Sequence, residues 1–285
     1  MYSFITLCCL FGAVIPPAVL NIIAYPISRR WSCAISQYIV KVLAPRVFAI
    51  LNCYRHFSFF GYSDSKKMLP EQFMIISNHQ SLFDIPAFMN FFREKELRFV
   101  AKDNLSRHIP LVSEMLRAHR HCMIPRKGSP MVAMKIMESF GKQVLENNQI
   151  PVLFPEGTRS RDGNVGKFYS AGFRKLNEAA GLPVVACAVD GGSKIRDLDH
   201  IMRSLKNGCY RVKVLKVFDA PKTKEDESFV LEESRRLIQN QLDDWRKLGS
   251  SCRINYFINP VFSLNIPFTF HINIISLVVN GIGNS

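Results

Sequence analysis

Short apolar runs alternate with helical patterns through the middle of the chain. Runs rich in valine, isoleucine and phenylalanine predict strands at 73–76, 98–101, 121–124, 151–154, 184–189 and 211–218. Apolar positions three and four residues apart predict helices at 82–92, 110–118, 130–147, 170–180 and 226–247. Because strands alternate with helices, we expect an α/β fold, a layered and largely parallel sheet flanked by helices. We expect one domain over residues 64–250.

The amino-terminal segment has a different pattern, an apolar run over residues 1–28. It contains no Asp, Glu, Lys or Arg, and it exceeds the roughly 20 residues that a bilayer-crossing helix needs. Pro16-Pro17 lies near its middle, and proline disfavours a helix interior because it lacks a backbone donor. The sequence therefore predicts a kinked span or a half-inserted helical pair. A cleaved signal peptide is the alternative, although no basic residue leads the run.

An apolar stripe at helical spacing follows, made of Trp31, Ala34, Ile35, Tyr38, Ile39, Val42 and Leu43. Residues 1–63 carry five basic side chains (Arg29, Arg30, Lys41, Arg46 and Arg55) and no acidic one. The stripe either packs on the protein's own core or lies on an anionic membrane surface, and both can hold together. We therefore interpret residues 1–63 as a hydrophobic and amphipathic membrane-associated segment.

Charge divides the chain into a charged middle and two uncharged ends. The 285 residues include 37 basic and 23 acidic side chains, a formal charge of +14, and all of these lie within residues 29–253. An apolar share of 48% is enough for one large core and excludes a disordered chain. The charged middle excludes a multi-span transporter. Residues 251–285, uncharged after Arg253, form a tail whose role the sequence does not indicate.

The eight cysteines form no C-x-x-C pair. This arrangement fits neither a disulfide framework nor a zinc site. Cys122 and Cys187 lie inside apolar runs and are typical of small buried side chains in a reducing compartment. We expect no metal site.

The first candidate chemistry follows the strand at 73–76, where His79 and Asp84 lie five residues apart. This spacing does not put two side chains on one helix face, so they meet only if His79 lies in the turn and Asp84 in the first helical turn. Ser81 with Asp84 matches a capping box, which supports that geometry. The pair is then a carboxylate-oriented general base. The alternative is a helix cap beside an ordinary turn histidine.

A second candidate follows the strand at 151–154, in the run from Pro155 to Arg161. Proline ends the strand, and Gly157 allows close backbone approach. Arg159 and Arg161 carry planar groups suited to a phosphate or a carboxylate, and Glu156 can orient an arginine or accept from a hydroxyl. An ordinary polar turn with solvated arginines is the alternative.

A basic region extends over residues 93–135, with ten basic and four acidic side chains. Lys102 and Arg126 each closely follow a predicted strand, on the side expected for His79. Nucleic acid is not the expected partner, because aromatic residues are few and no recognition motif is present. An anionic small substrate and an anionic membrane explain the charge equally well.

Taken together, these motifs resemble the glycerolipid acyltransferase family. Asn78-His79, four residues and Asp84 are followed by the run from Phe154 to Arg159, in which Glu156 lies 77 residues after His79. The likeness covers roughly residues 70–220. It extends to Ala101-Lys102, to Ile124-Pro125-Arg126 and to the run from Gly181 to Val185. The order and spacing of the motifs are closest to the branch that acts on 1-acylglycerol-3-phosphate.

The resemblance implies acyl transfer from acyl-CoA or acyl carrier protein to the free sn-2 hydroxyl of 1-acylglycerol-3-phosphate, which gives phosphatidic acid. It assigns His79 as the general base and Asp84 as its orienting partner. It assigns the acceptor site to Lys102, Arg126, Glu156, Gly157, Thr158 and Arg159. The partners implied are a lysophospholipid acceptor, an acyl donor and a bilayer, with no cofactor beyond the donor itself. The location implied is the cytoplasmic face of a bacterial inner membrane or of the endoplasmic reticulum.

The chain departs from that branch at one position. An acidic residue commonly precedes the arginine of the second block, and Pro125 occupies this place here. The departure leaves the acceptor headgroup open. A lysophospholipid acyltransferase or transacylase with another headgroup is therefore an alternative, and a catalytically idle lipid-binding membrane protein is a second one.

Overall fold

A computed structural model of the chain describes residues 2–43, 46, 49–50, 58–102, 116–125, 129–160, 162–195 and 208–247. Its strands are β1 (Ser58–Gly61), β2 (Met74–Ser77), β3 (Leu97–Lys102), β4 (Cys122–Ile124), β5 (Ile150–Leu153), β6 (Val184–Asp190) and β7 (Cys209–Phe218). Its helices are α1 (Tyr2–Ile27), α2 (Arg29–Tyr38), α3 (Asp84–Phe91), α4 (Pro130–Glu146), α5 (Ser170–Ala180) and α6 (Lys224–Lys247). The helix predicted at 110–118 is described only over 116–118, and the tail at 251–285 lies outside the described residues.

The strands form one sheet in the order β1-β7-β6-β2-β5-β3-β4. The five strands β2 to β6 are parallel, whereas β7 pairs antiparallel with β6, and β1 pairs parallel with β7. The predicted fold class, a layered and largely parallel α/β sheet, is confirmed. Because β7 runs in the opposite direction, it begins at the edge of the sheet where β2, β5 and β6 end.

The sheet begins earlier than the boundary predicted at residue 63. Strand β1 covers only four residues and pairs with β7 from Ser58↔Cys209 to Gly61↔Val212. A strand this short gives no clear alternation of apolar and polar residues, so sequence patterning assigned it to the amino-terminal segment.

Each face of the sheet supports its own apolar core, because successive strand residues point to opposite faces. On one face, Ile75 and Val152 pack with Phe88 of α3. On the other face, Met74 and Ile76 pack with side chains of α4, α5 and α6. The two cores fix the sheet and its helices as one framework, and the turns that follow the strands are positioned by it.

The amino-terminal run is a single helix. The sequence predicts a kinked span or a half-inserted helical pair, and α1 continues from Tyr2 to Ile27 with Pro16-Pro17 inside it. The run is therefore one helix and not a pair. Contacts with α2 help to hold the helix after the prolines, since the Ser32 hydroxyl donates to the buried Asn21 side chain at 2.8 Å. Residues Cys8–Ile27 are long and apolar enough to cross a membrane, with a mean hydropathy of 1.9.

The amphipathic stripe after α1 divides between two environments. Helix α2 ends at Tyr38 and a π-helical turn covers Ile39–Leu43. Ile39 and Leu43 are buried, whereas Trp31 is 52% exposed. The carboxyl end of the stripe thus packs on the protein, and its amino end remains accessible.

We predict that the contact between α4 and α5 depends on Gly141. A methyl group added there would lie 2.5 Å from the Ala179 Cβ atom, which is too close for van der Waals contact. Gly141→Ala should therefore lower the free energy of unfolding by about 1–3 kcal/mol, measured by urea unfolding in detergent.

Gly172 of α5 provides the matched control. A methyl group there would meet only the Met137 side chain, at an ordinary 3.5 Å. Gly172→Ala should leave stability unchanged or raise it by about 0.4–1 kcal/mol. An equal loss in both variants would show that helix packing does not limit substitution at Gly141.

Candidate active site

The carboxyl end of β2 is fixed to β6 by a buried asparagine. The Asn78 amide nitrogen donates to the Val189 carbonyl at 2.8 Å, and its amide oxygen accepts from the Val189 N–H at 2.9 Å. Both polar groups of a side chain that is 1% exposed are therefore satisfied. This pairing sets the position at which the chain leaves the sheet, immediately before His79.

The turn after β2 brings His79 and Asp84 together. His79 Nδ1 lies 2.6 Å from Asp84 Oδ2, and the Asp84 side chain is fully buried. The same oxygen accepts from the Gln80 N–H at 2.7 Å and the Ser81 N–H at 2.9 Å. The Ser81 hydroxyl accepts from the Phe83 N–H at 3.3 Å, and α3 begins at Asp84, so only the half of the predicted capping box that runs from the Ser81 N–H to Asp84 is formed. The N–H groups of the turn thus hold the Asp84 carboxylate where it meets the histidine.

The His79 ring is held in one orientation. It stacks on Phe154, with the ring centroids 4.3 Å apart and the planes 14° from parallel. Because an ionised carboxylate only accepts hydrogen bonds, Nδ1 carries the proton towards Asp84 and Nε2 keeps its lone pair. The imidazole side chain remains 17% exposed. The arrangement can therefore accept a proton at Nε2 from a bound hydroxyl.

The loop after β5 is tied to the histidine by a second buried carboxylate. Glu156 Oε1 accepts from the His79 N–H, and Oε2 accepts from the Gly166 N–H, each at 2.9 Å. The Ser160 N–H donates to the His79 carbonyl at 2.7 Å. Burial raises the pKa of Glu156, and the two backbone donors act in the opposite direction. Glu156 thus holds the two motifs together through backbone groups.

Three other predicted site residues lie at an open surface beside the hydrogen bonds that Glu156 and Ser160 make with His79. Gly157, Thr158 and Arg159 are exposed, and they lie between Glu156 and Ser160, which both bond to His79. Gly157 has a φ of +63°, a left-handed conformation that favours glycine, and nothing lies within 4 Å of its missing Cβ position. The turn therefore leaves room for a ligand next to the histidine.

The two remaining predicted site residues are less fully described. Lys102 is the last residue of β3, and its side chain lies outside the described part of the structure. Arg126 also lies outside the described residues. Their assignment to the acceptor site stays a prediction. In the described part of the chain, no group of three or more His, Cys, Asp or Glu side chains could hold a metal ion.

Sequence reasoning missed Tyr210. This fully buried residue of β7 donates its hydroxyl hydrogen bond to Asp84 Oδ1. The sequence carried no direct signal for it, because the contact spans 126 residues and depends on the direction of β7. Gln80 was also missed; its side-chain oxygen accepts from the Ser193 N–H at 3.3 Å.

Comparison with known proteins identifies a family for the segment that contains the candidate site. Residues 62–190, which include both motifs, match the family model described as Acyltransferase. These residues form an acyltransferase-family domain. The resemblance predicted from the sequence is thereby confirmed for the segment that contains His79, Asp84 and Glu156.

Curated relatives of the acyltransferase domain are named 1-acyl-sn-glycerol-3-phosphate acyltransferase. One from Pseudomonas aeruginosa is 34% identical over 119 residues, which is 42% of this chain and 44% of that protein. One from Limnanthes douglasii is 33% identical over 116 residues, 41% of this chain and 40% of that protein. The matches thus span less than half the length of these relatives.

A solved structure shares the fold. The crystal structure of PlsC, the 1-acyl-sn-glycerophosphate (LPA) acyltransferase of Thermotoga maritima, matches with a TM-score of 0.62 and 19% identity. The match covers 90% of this chain and 100% of that one. At this level of identity the likeness supports the architecture rather than the specificity.

We predict that Glu156→Gln destabilises the acyltransferase domain. The amide would place an NH₂ group against one of two backbone N–H donors, which leaves a buried donor unsatisfied. The expected loss is about 1–3 kcal/mol in the free energy of unfolding, measured by chemical denaturation.

Glu178→Gln is the control, because Glu178 is exposed and pairs with Lys175 at the surface. This change should alter stability by less than about 0.5 kcal/mol. If Glu156→Gln were equally neutral, the backbone contacts of Glu156 would not contribute to holding the site.

Proposed function

We propose that this protein is a membrane-associated acyltransferase that moves a fatty acyl group from a thioester donor to the free hydroxyl of 1-acylglycerol-3-phosphate. The donor is acyl-CoA or acylated acyl carrier protein, and the product is phosphatidic acid. The observation that carries the proposal is the 2.6 Å contact of His79 with a buried Asp84 at an accessible edge of an acyltransferase-family domain.

The proposed reaction requires one base and one activated acyl group. His79 Nε2 takes the proton of the acceptor hydroxyl while its oxygen attacks the thioester carbonyl carbon. Asp84 stabilises the imidazolium that forms. The tetrahedral intermediate then collapses, the C–S bond breaks, and the thiolate leaves as a thiol with the proton that His79 had taken. The thioester is already reactive, so positioning the two substrates supplies much of the rate.

Arg159 is the described cation best placed for the acceptor phosphate. It is exposed in the turn that joins Glu156 to Ser160, so its guanidinium has access to a ligand beside His79. A planar guanidinium can bind a phosphate through two parallel hydrogen bonds. Lys102 and Arg126 are proposed to add charge to the same site, with Gly157 and Thr158 shaping its wall.

Pro125 is the reason to consider a second class of acceptor, lysophospholipids with another headgroup. A proline in place of an acidic residue removes a charge that could orient the neighbouring Arg126. An acyltransferase for lysophospholipids with another headgroup is therefore the alternative function, and it uses the same histidine.

The proposed membrane contact is made by α1. Its buried residues, Ala18, Asn21 and Ala24, follow one helical face. Large apolar side chains elsewhere on the helix are exposed, among them Phe11, Ile15, Val19, Ile23 and Ile27. Arg29 and Arg30 follow at once and favour the cytoplasmic side of a bilayer. An exposed apolar surface of this extent is suited to acyl chains rather than to water.

We predict that isolated membranes containing the protein convert lysophosphatidate and acyl-CoA to phosphatidic acid. His79→Ala should lower the rate by about 10²–10⁴-fold, because the acceptor hydroxyl loses its base. Formation of labelled phosphatidic acid from radioactive acyl-CoA is the measurement, with lysophosphatidylcholine as a parallel acceptor.

Asp243→Asn serves as the control, since Asp243 is a surface residue of α6 that pairs with Arg246. It should retain the wild-type rate. Wild-type activity in His79→Ala would exclude the general-base mechanism. Preference for lysophosphatidylcholine would instead favour the alternative acceptor class, and lipid binding without any transfer would favour the idle lipid-binding protein.

We predict that Arg159→Ala raises the KM for lysophosphatidate more than the KM for acyl-CoA, because only the acceptor carries the phosphate assigned to this guanidinium. A loss of roughly tenfold in acceptor affinity corresponds to one charge-assisted hydrogen bond. Arg236→Ala is the matched control, since Arg236 is exposed on α6 and pairs with Glu233. A larger effect on the donor KM would remove the phosphate role.

A further inference from the structure

The topology of the sheet brings Tyr210 to the proposed catalytic pair. Tyr210 is the second residue of β7, the strand that begins where β2 and β6 end. Its side chain is fully buried, and its hydroxyl donates to Asp84 Oδ1. A residue 126 positions along the chain from Asp84 thus reaches the carboxylate that faces His79.

The hydrogen bonds to Asp84 divide unequally between its two oxygens. Oδ2 accepts from His79 Nδ1 and from the N–H groups of Gln80 and Ser81. Oδ1 accepts from Tyr210. The local turn therefore engages one oxygen, while the distant tyrosine engages the other and resists rotation of the carboxylate.

Space for the phenol depends on the glycine pair after β6. A Cβ atom on Gly192 would lie 2.8 Å from the Tyr210 hydroxyl and 2.9 Å from the Ser81 Cβ atom. Gly191 has a φ of +103°, and its Cβ would lie 2.1 Å from the Cys209 carbonyl oxygen. Larger residues at these positions would displace the start of β7 or the turn that contains Asp84.

We propose that Tyr210 is a positioning residue for acyl transfer, and that its hydroxyl fixes the orientation of Asp84 and sets how strongly this carboxylate accepts from His79. The inference deepens the proposed function and rests on it for its catalytic meaning. When one hydrogen-bond donor draws electron density from a carboxylate, the carboxylate accepts its other hydrogen bonds more weakly. The tyrosine hydrogen bond therefore moderates the histidine–carboxylate contact while holding it in place.

The hydroxyl remains a donor over the working pH range. Burial, with the neighbouring Asp84 carboxylate, raises the pKa of Tyr210 well above its usual value. Charged groups near the pair in the described part of the chain include Glu156, which bonds to the His79 N–H, and Asp190, which lies 3.6 Å from Arg211 on β7. A change confined to the Tyr210 hydroxyl leaves these charges unaltered.

The experiment compares the protein with Tyr210→Phe and with 3-fluorotyrosine incorporated at position 210. The readout is the proton resonance of the His79 Nδ1–H group in detergent micelles, assigned by its loss in His79→Ala. In Tyr210→Phe, Asp84 loses a donor and bonds more strongly to His79, so the resonance should move downfield. The fluorinated phenol is more acidic and donates more strongly, so the resonance should move upfield.

Kinetics supply the second readout. In Tyr210→Phe, kcat should fall roughly tenfold with little change in either KM. The acid limb of the activity–pH profile should move to higher pH, because a more strongly accepting carboxylate favours the imidazolium. A merely structural role of the tyrosine would lower the amount of active protein without moving this limb.

Tyr62→Phe is the matched control, because Tyr62 stacks its ring on Trp245 at a centroid distance of 5.9 Å. It should leave the resonance and the pH profile unchanged. A His79 resonance at the wild-type position in both variants of Tyr210 would overturn the inference. If Tyr210→Phe does not fold, the resonance of the fluorotyrosine protein is the deciding measurement. Absence of acyl transfer in the wild type would instead reject the proposed function, since the resonance does not depend on turnover.

Discussion

The need to stabilise a buried carboxylate at Asp84 governs much of this structure. An ionised carboxylate out of water is costly unless hydrogen bonds replace its hydration. Here the replacement comes from an imidazole, two backbone N–H groups and a phenol. Three of these donors come from the turn between β2 and α3, and the phenol comes from β7. The Asp84 carboxylate therefore connects the turn after β2 to β7, a strand that is distant in the sequence.

Glu156 is a second buried carboxylate that hydrogen bonds stabilise, and its donors are backbone N–H groups. Its two oxygens bond to N–H groups 87 positions apart in the chain, those of His79 and Gly166. A methyl group on Gly166 would lie 2.9 Å from Glu156 Oε2, so glycine is required for this close approach. The motif residue that the resemblance assigned to the acceptor thus also holds the loops of β2 and β5 against each other.

Local interactions explain what the sequence predicted well. The six predicted strands agree with β2 to β7 within about two residues at each end, because buried strands leave strong apolar runs. The contact of His79 with Asp84 was also predictable, since the two residues are five positions apart and one local turn brings them together. The contact of Tyr210 with Asp84 could not be predicted in this way, because it depends on the antiparallel direction of β7. Of the two forms predicted for the amino-terminal run, propensity alone could not exclude the helical pair, because it omits contacts such as the hydrogen bond between Asn21 of α1 and Ser32 of α2.

The acidic and basic side chains of the candidate site differ in their burial, and this difference matches their proposed roles. The carboxylates of Asp84 and Glu156 are at most 5% exposed and bond to groups of the protein itself, whereas Arg159 stays at the surface. A buried acid bonded on both oxygens is fixed and suits orientation of a base. An exposed guanidinium keeps its hydration and its freedom until an anion replaces them, which suits binding of a substrate that must enter and leave.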